Sequence, residues 1–565
     1  MGRELTAIAA LLAATSVNAQ IQLNQVGYLP GAAKWAAVPD GTAREFVVVD
    51  DTTGREVLRA PLAPAQRWTA AEQALRLADF SALKAPGRYR VRVTGEDDSP
   101  AFAVAADAYA ALAAAAQKAY YFNRAGLELK AEHAGPWARP AGHADARVRV
   151  HASAASASRP AGTEITSPKG WYEAGDYNQY IVNSGITVYT LLAAWEHFPA
   201  FFRAQRVGIP ESGGPLPDLL AEVRWNLDWM LSMQDPADGG VYHKLTNERF
   251  DGVVMPHLAN RERWVVQKGT AATLDFAAVA AQASRVWAPF DAAYAARLKT
   301  AALAAWGWAQ ANPAVAYRQP PDIHTGGYDD QRFDDEFAWA AAELYVTTRD
   351  DRFWAALKPQ QTPASVPWWG GVDGLAWTTL AHHRDRLTPA ADRALIERRI
   401  TTLAAELEAA WAASPVKLPI ADSQFDWGRN SGVLNRALML VQGFRVSGRR
   451  AQLDAAQAAL DYVLGRNALA MSQVTGIGAR SPLHPHHRPS EADGVAAPVP
   501  GFVVGGPNAG RQDAAHCPPY PHTAPARAYL DHFCSYASNE VAINWNAPLV
   551  YLAAALQSLT PEPAR

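Results

Sequence analysis

Residues 88–124, RYRVRVTGEDDSPAFAVAADAYAALAAAAQKAYYFNR, contain the change of pattern that decides the fold. Up to Val93 polar and apolar side chains alternate, which is the period of a half-buried β-strand. From residue 106 onward alanine, leucine and aromatic residues recur at helical spacing. The sequence therefore predicts a β-domain followed by a helical domain, with the boundary near residue 105.

The segment before this boundary is typical of a small antiparallel β-sandwich. Its β-rich runs are separated by Gly, Pro and Asp turns and lie at residues 45–50, 74–77 and 88–93. We expect a separate domain over residues 20–105.

Residues 1–19 have the pattern of an export signal. Arg3 precedes an apolar stretch, and Val17-Asn18-Ala19 resembles a cleavage site, although an ordinary N-terminal helix is the alternative. The pattern predicts a signal peptide and a mature protein in the periplasm or the extracellular medium.

The segment after the boundary contains eleven or so helical patterns and no fixed repeat length. These patterns lie near residues 106–124, 184–198, 217–233, 271–286, 292–311, 335–347, 372–384, 389–412, 433–444, 451–464 and 541–559. Paired helices rich in alanine favour an all-α barrel of helical hairpins over a solenoid, here spanning residues 106–562. Residues 468–526 lack a helical period, and loops of that length are usually functional.

The composition indicates an uncharged partner. The chain of 565 residues has a formal net charge of −3, and it contains no long Lys/Arg run. Nucleic acid and anionic membranes are therefore not expected partners, and no later apolar run has the length of a membrane span. The 19 Trp residues are compatible with stacking on sugar rings.

Cys517 and Cys534 are the only cysteines of the chain. In an exported protein a disulfide is the default for such a pair. Free thiols are one alternative. A metal site is another, because His516 and His532 lie beside the two cysteines, although the spacing matches no usual zinc pattern.

Three motifs carry residues suited to catalysis or binding. In Gly170-Trp-Tyr-Glu-Ala-Gly-Asp176, the spacing of Glu173 and Asp176 can direct both carboxylates to one point, although helix capping by Asp is the more ordinary interpretation. Glu540 lies between polar residues and the most apolar helix. Partial desolvation there would raise its pKa and suit a general acid, whereas a first-turn Glu interacting with the helix dipole is equally compatible.

The third motif is the loop containing His484, His486, His487 and Arg488. A cluster of histidines can bind a transition metal. We favour hydrogen bonding to sugar hydroxyl groups, because Pro485 and the lack of nearby Cys or paired carboxylates disfavour a closed zinc site.

Taken together and in order, these motifs resemble glycoside hydrolase family 9, the family of cellulases and related β-glucanases. The resemblance extends over nearly the whole chain, from Asn24-Gln-Val-Gly-Tyr-Leu-Pro30 through residues 233–244, 335–345 and 426–432 to Asn539-Glu540-Val541. It implies an N-terminal immunoglobulin-like β-sandwich, an (α/α)6 barrel catalytic domain with an open cleft, and an inverting mechanism.

The resemblance also implies roles for individual residues. Glu540 would be the general acid and Asp176 the general base, and an inverting pair stands ~6.5 to 9.5 Å apart to admit a water. His486 and Arg488 match the substrate-binding His-x-Arg of the family, and Trp427 and Tyr536 resemble aromatic residues of its cleft.

One position departs from the family pattern. The family usually has Asp-Ala-Gly-Asp, and its first Asp helps to hold the attacking water, whereas this chain has Glu173. The longer side chain either keeps that role with a shifted geometry or acts only as a hydrogen-bonding partner.

The resemblance further implies metal sites. Asp335 and Glu336 resemble a pair that contributes calcium ligands, although an acidic first helical turn explains them nearly as well. No cofactor is expected for the chemistry. The zinc site of some relatives needs Cys ligands before the base motif, and this chain has none there.

The expected activity is endo-acting hydrolysis of β-1,4-glucosidic bonds in cellulose-like or mixed-linkage β-glucans by a monomer. The alternatives are an exo-acting enzyme that releases short units from cello-oligosaccharides, and a glycan-binding protein that has lost turnover. No cellulose-binding module or Ser/Pro-rich linker is evident, so soluble or short chains are favoured over crystalline cellulose.

Overall fold

A computed structural model describes residues 20–560, and the predicted signal peptide at residues 1–19 lies outside the described residues. The N-terminal part contains two sheets built from eight strands. These strands are β1 (Gly27–Tyr28), β2 (Trp35–Pro39), β3 (Glu45–Asp50), β4 (Glu56–Pro61), β5 (Gln66–Trp68), β6 (Gln73–Asp79), β7 (Gly87–Arg92) and β8 (Phe102–Val104). Their orders are β1-β8-β7-β3-β4 and β2-β6-β5.

The core of this domain follows from the alternation seen in the sequence. On β3, Phe46 and Val48 are buried while Val47 between them is not, as a period of two requires. Tyr28 packs edge-on against Phe80 and Phe102, with ring centroids 5.3 and 5.5 Å away. The predicted β-domain is confirmed.

The remainder of the chain is mainly helical. Its helices are α1 (Ala110–Phe122), α2 (Ala131–Ala134), α3 (Ile181–His197), α4 (Pro199–Ala204), α5 (Asp218–Ser232), α6 (Thr270–Trp287), α7 (Ala292–Ala311), α8 (Asp334–Thr348), α9 (Asp351–Ala356), α10 (Asp373–His383), α11 (Arg393–Ala413), α12 (Arg429–Ser447), α13 (Arg450–Val463), α14 (Arg488–Ala492), α15 (Tyr536–Asn539) and α16 (Ile543–Leu559).

Six of these helices contact one another in a closed cycle. The contacts run from α3 to α6, α8, α10, α12, α16 and back to α3. The other long helices pack outside: α1 on α16, α5 on α3, α7 on α6, α11 and α13 on α12. Helices α3 and α16 are buried over most of their length, as expected for helices that are apolar on all faces. Their contact brings together the segments that precede them.

The helical part is not purely helical, and the sequence-based prediction was wrong on this point. Five short strands form a sheet of order β10-β9-β13-β12-β11, namely β9 (Val148–Val150), β10 (Glu164–Ile165), β11 (Gln179–Tyr180), β12 (Lys244–Thr246) and β13 (Trp264–Val265). Strands of two or three residues are too short to show alternation. Since β11 directly precedes α3, this sheet fixes the chain next to Asp176.

The two parts are joined by polar contacts, one of them fully buried. The side-chain amide of Asn24 donates to Asp461 of α13 at 2.9 Å, and the backbone N–H of Ala70 donates to Asp422 at 3.1 Å. The β-domain is thus fixed on the helical domain. Among the helices within residues 20–560, none combines the length and apolar character needed to span a bilayer.

Candidate active site

A cleft of about 1060 Å³ contains seven of the residues that the sequence singled out. Its lining includes Glu173, Asp176, Trp427, His486, Arg488, Tyr536 and Glu540. Aromatic residues that the sequence analysis did not select also line it: Tyr180, Phe250, Tyr328, Trp368, Trp369 and Trp545. The cleft therefore combines carboxyl groups with flat apolar surfaces.

Asp176 lies in the turn between Trp171 and β11. The turn is closed by a hydrogen bond from the Glu173 N–H to the Asn178 carbonyl at 3.0 Å. The following helix α3 begins after Tyr180 and has no side-chain cap, so Asp176 does not cap it. The side chain is instead buried in the cleft wall, where its carboxylate accepts a hydrogen bond from Asn178.

Opposing effects set the pKa of Asp176. Burial raises the pKa of this carboxyl above its ordinary value, and the guanidinium of Arg488, the amide of Asn178 and the guanidinium of Arg263 limit the rise. These neighbours favour the ionised form, which is the form that a general base requires.

Glu540 lies between α15 and α16, in extended backbone before the first helical turn. Its carbonyl accepts from the Gly505 N–H at 2.8 Å, and it pairs with His486 as a parallel β-bridge. Burial, followed by repulsion from Asp176, raises the pKa of Glu540 from 4.5 to about 8. The carboxyl is therefore protonated at neutral pH.

Glu173 is deeply buried beside these two groups. Its Oε1 accepts from the Asn183 amide at 2.9 Å and the Tyr328 hydroxyl at 3.1 Å. Burial raises its pKa well above the usual value, and the charges of Asp176 and Glu540 raise it further. Three carboxyl groups in one cleft cannot all be ionised at low cost, and Glu173 carries the strongest bias toward the neutral form.

The loop with His486 and Arg488 connects the two carboxylate segments. Arg488 donates from its backbone N–H and from Nη1 to the Gly175 carbonyl, at 3.1 and 2.8 Å. The His486 N–H donates to the Asn539 carbonyl at 2.8 Å. This loop therefore sets the position of Glu540 relative to Asp176.

The histidines of this loop have separate partners. His486 Nδ1 lies 2.6 Å from the Phe533 carbonyl, and burial lowers its pKa to about 4. His487 Nδ1 lies 2.9 Å from the Ser490 hydroxyl. Within residues 20–560, no three His, Cys, Asp or Glu side chains are arranged to hold a metal ion.

Gly175, in the turn that carries Asp176, lies against the backbone of His486. A Cβ there would overlap the His486 carbonyl oxygen and lie 2.8 Å from its ring. We expect Gly175→Ala to lower kcat by about 100-fold, because displacement of catalytic groups by about 1 Å has effects of that size. The change in kcat is measured from initial rates on a soluble β-glucan, the substrate that the sequence analysis leads us to expect.

Gly307→Ala is the matched control, because nothing lies within 4 Å of the added methyl group in α7. Alanine stabilises a helix interior by roughly 0.5–1 kcal/mol relative to glycine, so this variant should keep its rate and melt slightly higher. An active Gly175→Ala enzyme would contradict the requirement for close contact.

Trp427 and Tyr536 form one aromatic wall of the cleft. Their ring centroids are 5.3 Å apart with planes inclined by 36°, and the Trp427 side chain is exposed toward the cleft. The exposed part of the Trp427 ring is a large apolar surface, which suits stacking on a sugar ring.

Cys517 and Cys534 form a disulfide, with Cα atoms 5.7 Å apart. Next to it, Asp513 accepts from the Ser535 hydroxyl at 2.9 Å and from the Ala537 N–H at 2.8 Å. These contacts hold the backbone that leads to Tyr536 and Glu540.

Asp335 and Glu336 lie in the first turn of α8 and do not line the cleft. Asp335 Oδ2 accepts from the Val372 N–H at 2.9 Å. Asp335 Oδ1 and Glu336 Oε2 are buried and have no hydrogen-bond partner in the described part of the chain, residues 20–560, and the same holds for Asp330 Oδ2. Asp335 Oδ1 also lies 3.5 Å from Nε of Arg332. Although these groups are not at ligand geometry, buried unsatisfied carboxylate oxygens fit a hard divalent cation.

Several residues of the site were missed in the sequence. Tyr328 has a positive φ of 52° and is held by the preceding loop, where Nζ of Lys244 donates to Thr325 at 3.0 Å and to the Gly326 carbonyl at 2.5 Å. The Gly326-Gly327 pair was the only local signal. Trp368 and Trp369, followed by Gly370-Gly371, could have been recognised as an exposed aromatic turn.

Known proteins resemble this chain over most of its length. The sequence pattern described as glycosyl hydrolase family 9 matches residues 90–553, and that of the cellulase N-terminal ig-like domain matches residues 16–98. A xyloglucan-specific endo-β-1,4-glucanase of Bacteroides ovatus is 41% identical over 562 residues, covering 96% of this chain and 94% of that protein.

Two further relatives bear on fold and activity. A cellulose 1,4-β-cellobiosidase of Acetivibrio thermocellus is 31% identical, covering 95% of this chain and 67% of that protein. A solved structure titled Bacteroides ovatus GH9 superposes with a TM-score of 0.91 at 39% identity, covering 96% of this chain and all of that one.

Proposed function

The chain belongs to glycosyl hydrolase family 9, and on that premise we propose that it is an inverting, endo-acting β-1,4-glucanase with an (α/α)6 barrel catalytic domain. The observation that carries the mechanism is the contrast between two carboxyl groups of one cleft. Burial and Asp176 keep Glu540 protonated with a pKa of about 8. Burial also raises the pKa of Asp176, but Arg488, Asn178 and Arg263 oppose that rise and favour its ionised form.

In this mechanism Glu540 transfers its proton to the glycosidic oxygen as the bond from that oxygen to the anomeric carbon breaks. Asp176 takes a proton from a water on the opposite face of the sugar ring. The water oxygen bonds to the anomeric carbon, so the configuration inverts. His486 and Arg488 are proposed to hold the sugar, and Arg488 also stabilises the carboxylate of Asp176.

Glu173 is proposed to hold the attacking water as a neutral hydrogen-bonding group. Its Oε1 is occupied by Asn183 and Tyr328, which fixes the longer side chain. A protonated carboxyl in this position can donate a hydrogen bond and does not compete with Asp176 as a base.

Endo action is supported by the extent of the cleft and by its exposed aromatic side chains. Trp368 and Trp427 are 52% and 44% exposed, so each offers a stacking face to a glucan backbone. The Bacteroides ovatus relative is named for xyloglucan, and we propose that soluble β-1,4-glucans with or without branches are substrates. The cellobiosidase relative makes exo action the second candidate.

Product analysis on hydroxyethyl cellulose, xyloglucan, mixed-linkage β-glucan and cello-oligosaccharides tests the proposal. We expect viscosity to fall long before much reducing sugar is released, and NMR to detect the α-anomer first. Release of short units without loss of viscosity would establish exo action. Initial formation of the β-anomer would exclude inversion.

We also propose that the protein is a monomer exported by the signal at residues 1–19. Support comes from the sequence of that segment and from the disulfide between Cys517 and Cys534, a bond of oxidising compartments. Cell fractionation and gel filtration test both statements.

A structural calcium ion is proposed at Asp335 and Glu336, with Asp330 as a further ligand. Such an ion would hold the loop before α8, which carries Tyr328, in place. We expect chelation to lower the Tm, since a ligand at 100 times its Kd adds about 2.7 kcal/mol of stability. Calorimetry with EDTA, and then with added Ca²⁺, measures the effect.

Asp335→Asn should remove the response to EDTA. Asp334→Asn is the matched control, because it makes the same change at an exposed carboxylate of the same helical turn and should leave the response intact. An unchanged Tm of the parent protein in EDTA would contradict the calcium site.

A further inference from the structure

Two arginines of α12 converge on one face of the cleft. Arg429 is the first residue of the helix and Arg436 lies two turns later, with Gly432 between them. All three line the cleft. A Cβ at position 432 would lie 2.8 Å from Nη1 of Arg429 and 3.3 Å from Nη1 of Arg436. Both guanidinium groups therefore reach the surface of the same glycine.

This face is electropositive beyond the charge of the two side chains. Arg429 occupies the N-terminus of α12, where the helix dipole already contributes a partial positive charge and disfavours a cation. The Arg429 charge also contributes to lowering the pKa of Arg436 to about 10, after the larger effect of burial. Three sources of positive potential thus meet in one wall of the cleft.

The protein compensates this potential only in part. Asp426 pairs with Nη2 of Arg429, but its carboxylate is 68% exposed and faces water. Arg436 donates to the Gly432 carbonyl at 2.9 Å and reaches the Gln424 amide oxygen at 3.4 Å, both neutral acceptors.

Arg429 keeps unused donors. Its side chain is only 8% exposed, and its Nε is buried without a hydrogen-bond partner among residues 20–560. Its Nη1 is the atom nearest a Cβ at Gly432, on the cleft surface, and it is the donor that a ligand group bound there would reach.

We propose that this face is a subsite for a carboxylate, namely a uronic acid unit carried by a β-1,4-glucan. The proposal rests on the proposed function, because it assigns the substituent that one subsite of the glucanase cleft accepts. Neutral sugar hydroxyl groups could also hydrogen-bond to the arginines. A hydroxyl leaves the positive potential uncompensated, whereas a carboxylate neutralises it and accepts two hydrogen bonds from a guanidinium fork.

The test compares cello-oligosaccharides whose primary hydroxyl groups are partly oxidised to carboxylates with neutral ones of equal length. The measured quantity is kcat/KM on the acidic substrate divided by kcat/KM on the neutral one. We expect Arg429→Gln and Arg436→Gln to lower this ratio by about tenfold, since charge-assisted hydrogen bonds are stronger than neutral ones. Asp426→Asn should raise it, because the competing carboxylate is gone.

Two variants separate charge from folding. Arg436→Lys keeps the charge and should retain most of the ratio. Arg352→Gln is the matched control, because Arg352 is 88% exposed on α9, and it should leave the ratio unchanged. If the Arg429 and Arg436 variants lose kcat/KM equally on the acidic and the neutral substrate, the proposal of a carboxylate subsite is wrong. Failure of the parent enzyme on the neutral chain would instead overturn the proposed function.

Discussion

Glu540→Gln is expected to lower kcat on β-1,4-glucans by about 10²–10⁴-fold, the usual contribution of a positioned proton donor. The substitution removes the proton and changes the volume little, so KM should stay near the parental value. Initial rates on a soluble β-glucan, with binding measured by calorimetry on the inactive variant, test both expectations.

An aryl cellobioside with an acidic phenol as leaving group is the discriminating control for this variant. Such a leaving group departs without protonation, so Glu540→Gln should lose far less activity on it than on a glucan. Equal losses on both substrates would contradict the assignment of Glu540 as the acid.

The pH dependence of the parent enzyme follows from the same carboxyl group. Because the acid must be protonated, kcat/KM should fall as pH rises through the pKa of Glu540, about 8. The fall in kcat/KM at alkaline pH should be absent in the Glu540→Gln variant.

The contribution of Glu540 to stability should also fall as pH rises. The pKa of Glu540 is raised from 4.5 in the unfolded chain to about 8 in the folded protein. Its contribution to stability is therefore fully present below pH 4.5 and is lost as pH rises toward about 8. Gln carries no charge in either state, so the variant should melt higher than the parent near pH 8. A destabilised variant would point to a structural role.

Periodicity made most of the fold predictable. The predicted helix at residues 292–311 coincides with α7, and the predicted strand at residues 45–50 coincides with β3. Both are long enough to show their period. Strands β9 to β13 were missed because the helices determine which of these strands lie side by side. A local stretch of sequence does not contain that information.

The site was predictable only where residues belong to a recognisable motif. Local chemistry allowed Asp176 to be a helix cap, and the structure excludes this because α3 begins five residues after it. Tyr328 and Lys244 act through distant contacts, over 155 residues in the pair of Tyr328 and Glu173 and over 81 residues in the pair of Lys244 and Thr325. No periodicity reports such contacts.

Asp176→Asn should lower kcat as strongly as the substitution of Glu540, since both proton transfers belong to one transition state. The two variants should differ in how their rates depend on the leaving group. A base is needed whatever group departs, so the variant should be equally slow on a glucan and on an activated aryl cellobioside. Comparison of the two variants on both substrates separates the acid from the base.

Rescue by azide tests the same residue in a second way. Asp176→Ala opens space behind the anomeric carbon, where azide can attack without a base. We expect azide to restore turnover and to yield the α-glycosyl azide, whereas Glu173→Ala should not be rescued in this way if Glu173 only holds the water. Formation of the β-azide by the Asp176 variant would contradict attack from the opposite face.

Because Glu173→Asp restores the usual family residue, a rate increase in that variant would indicate that the longer side chain holds the water less well.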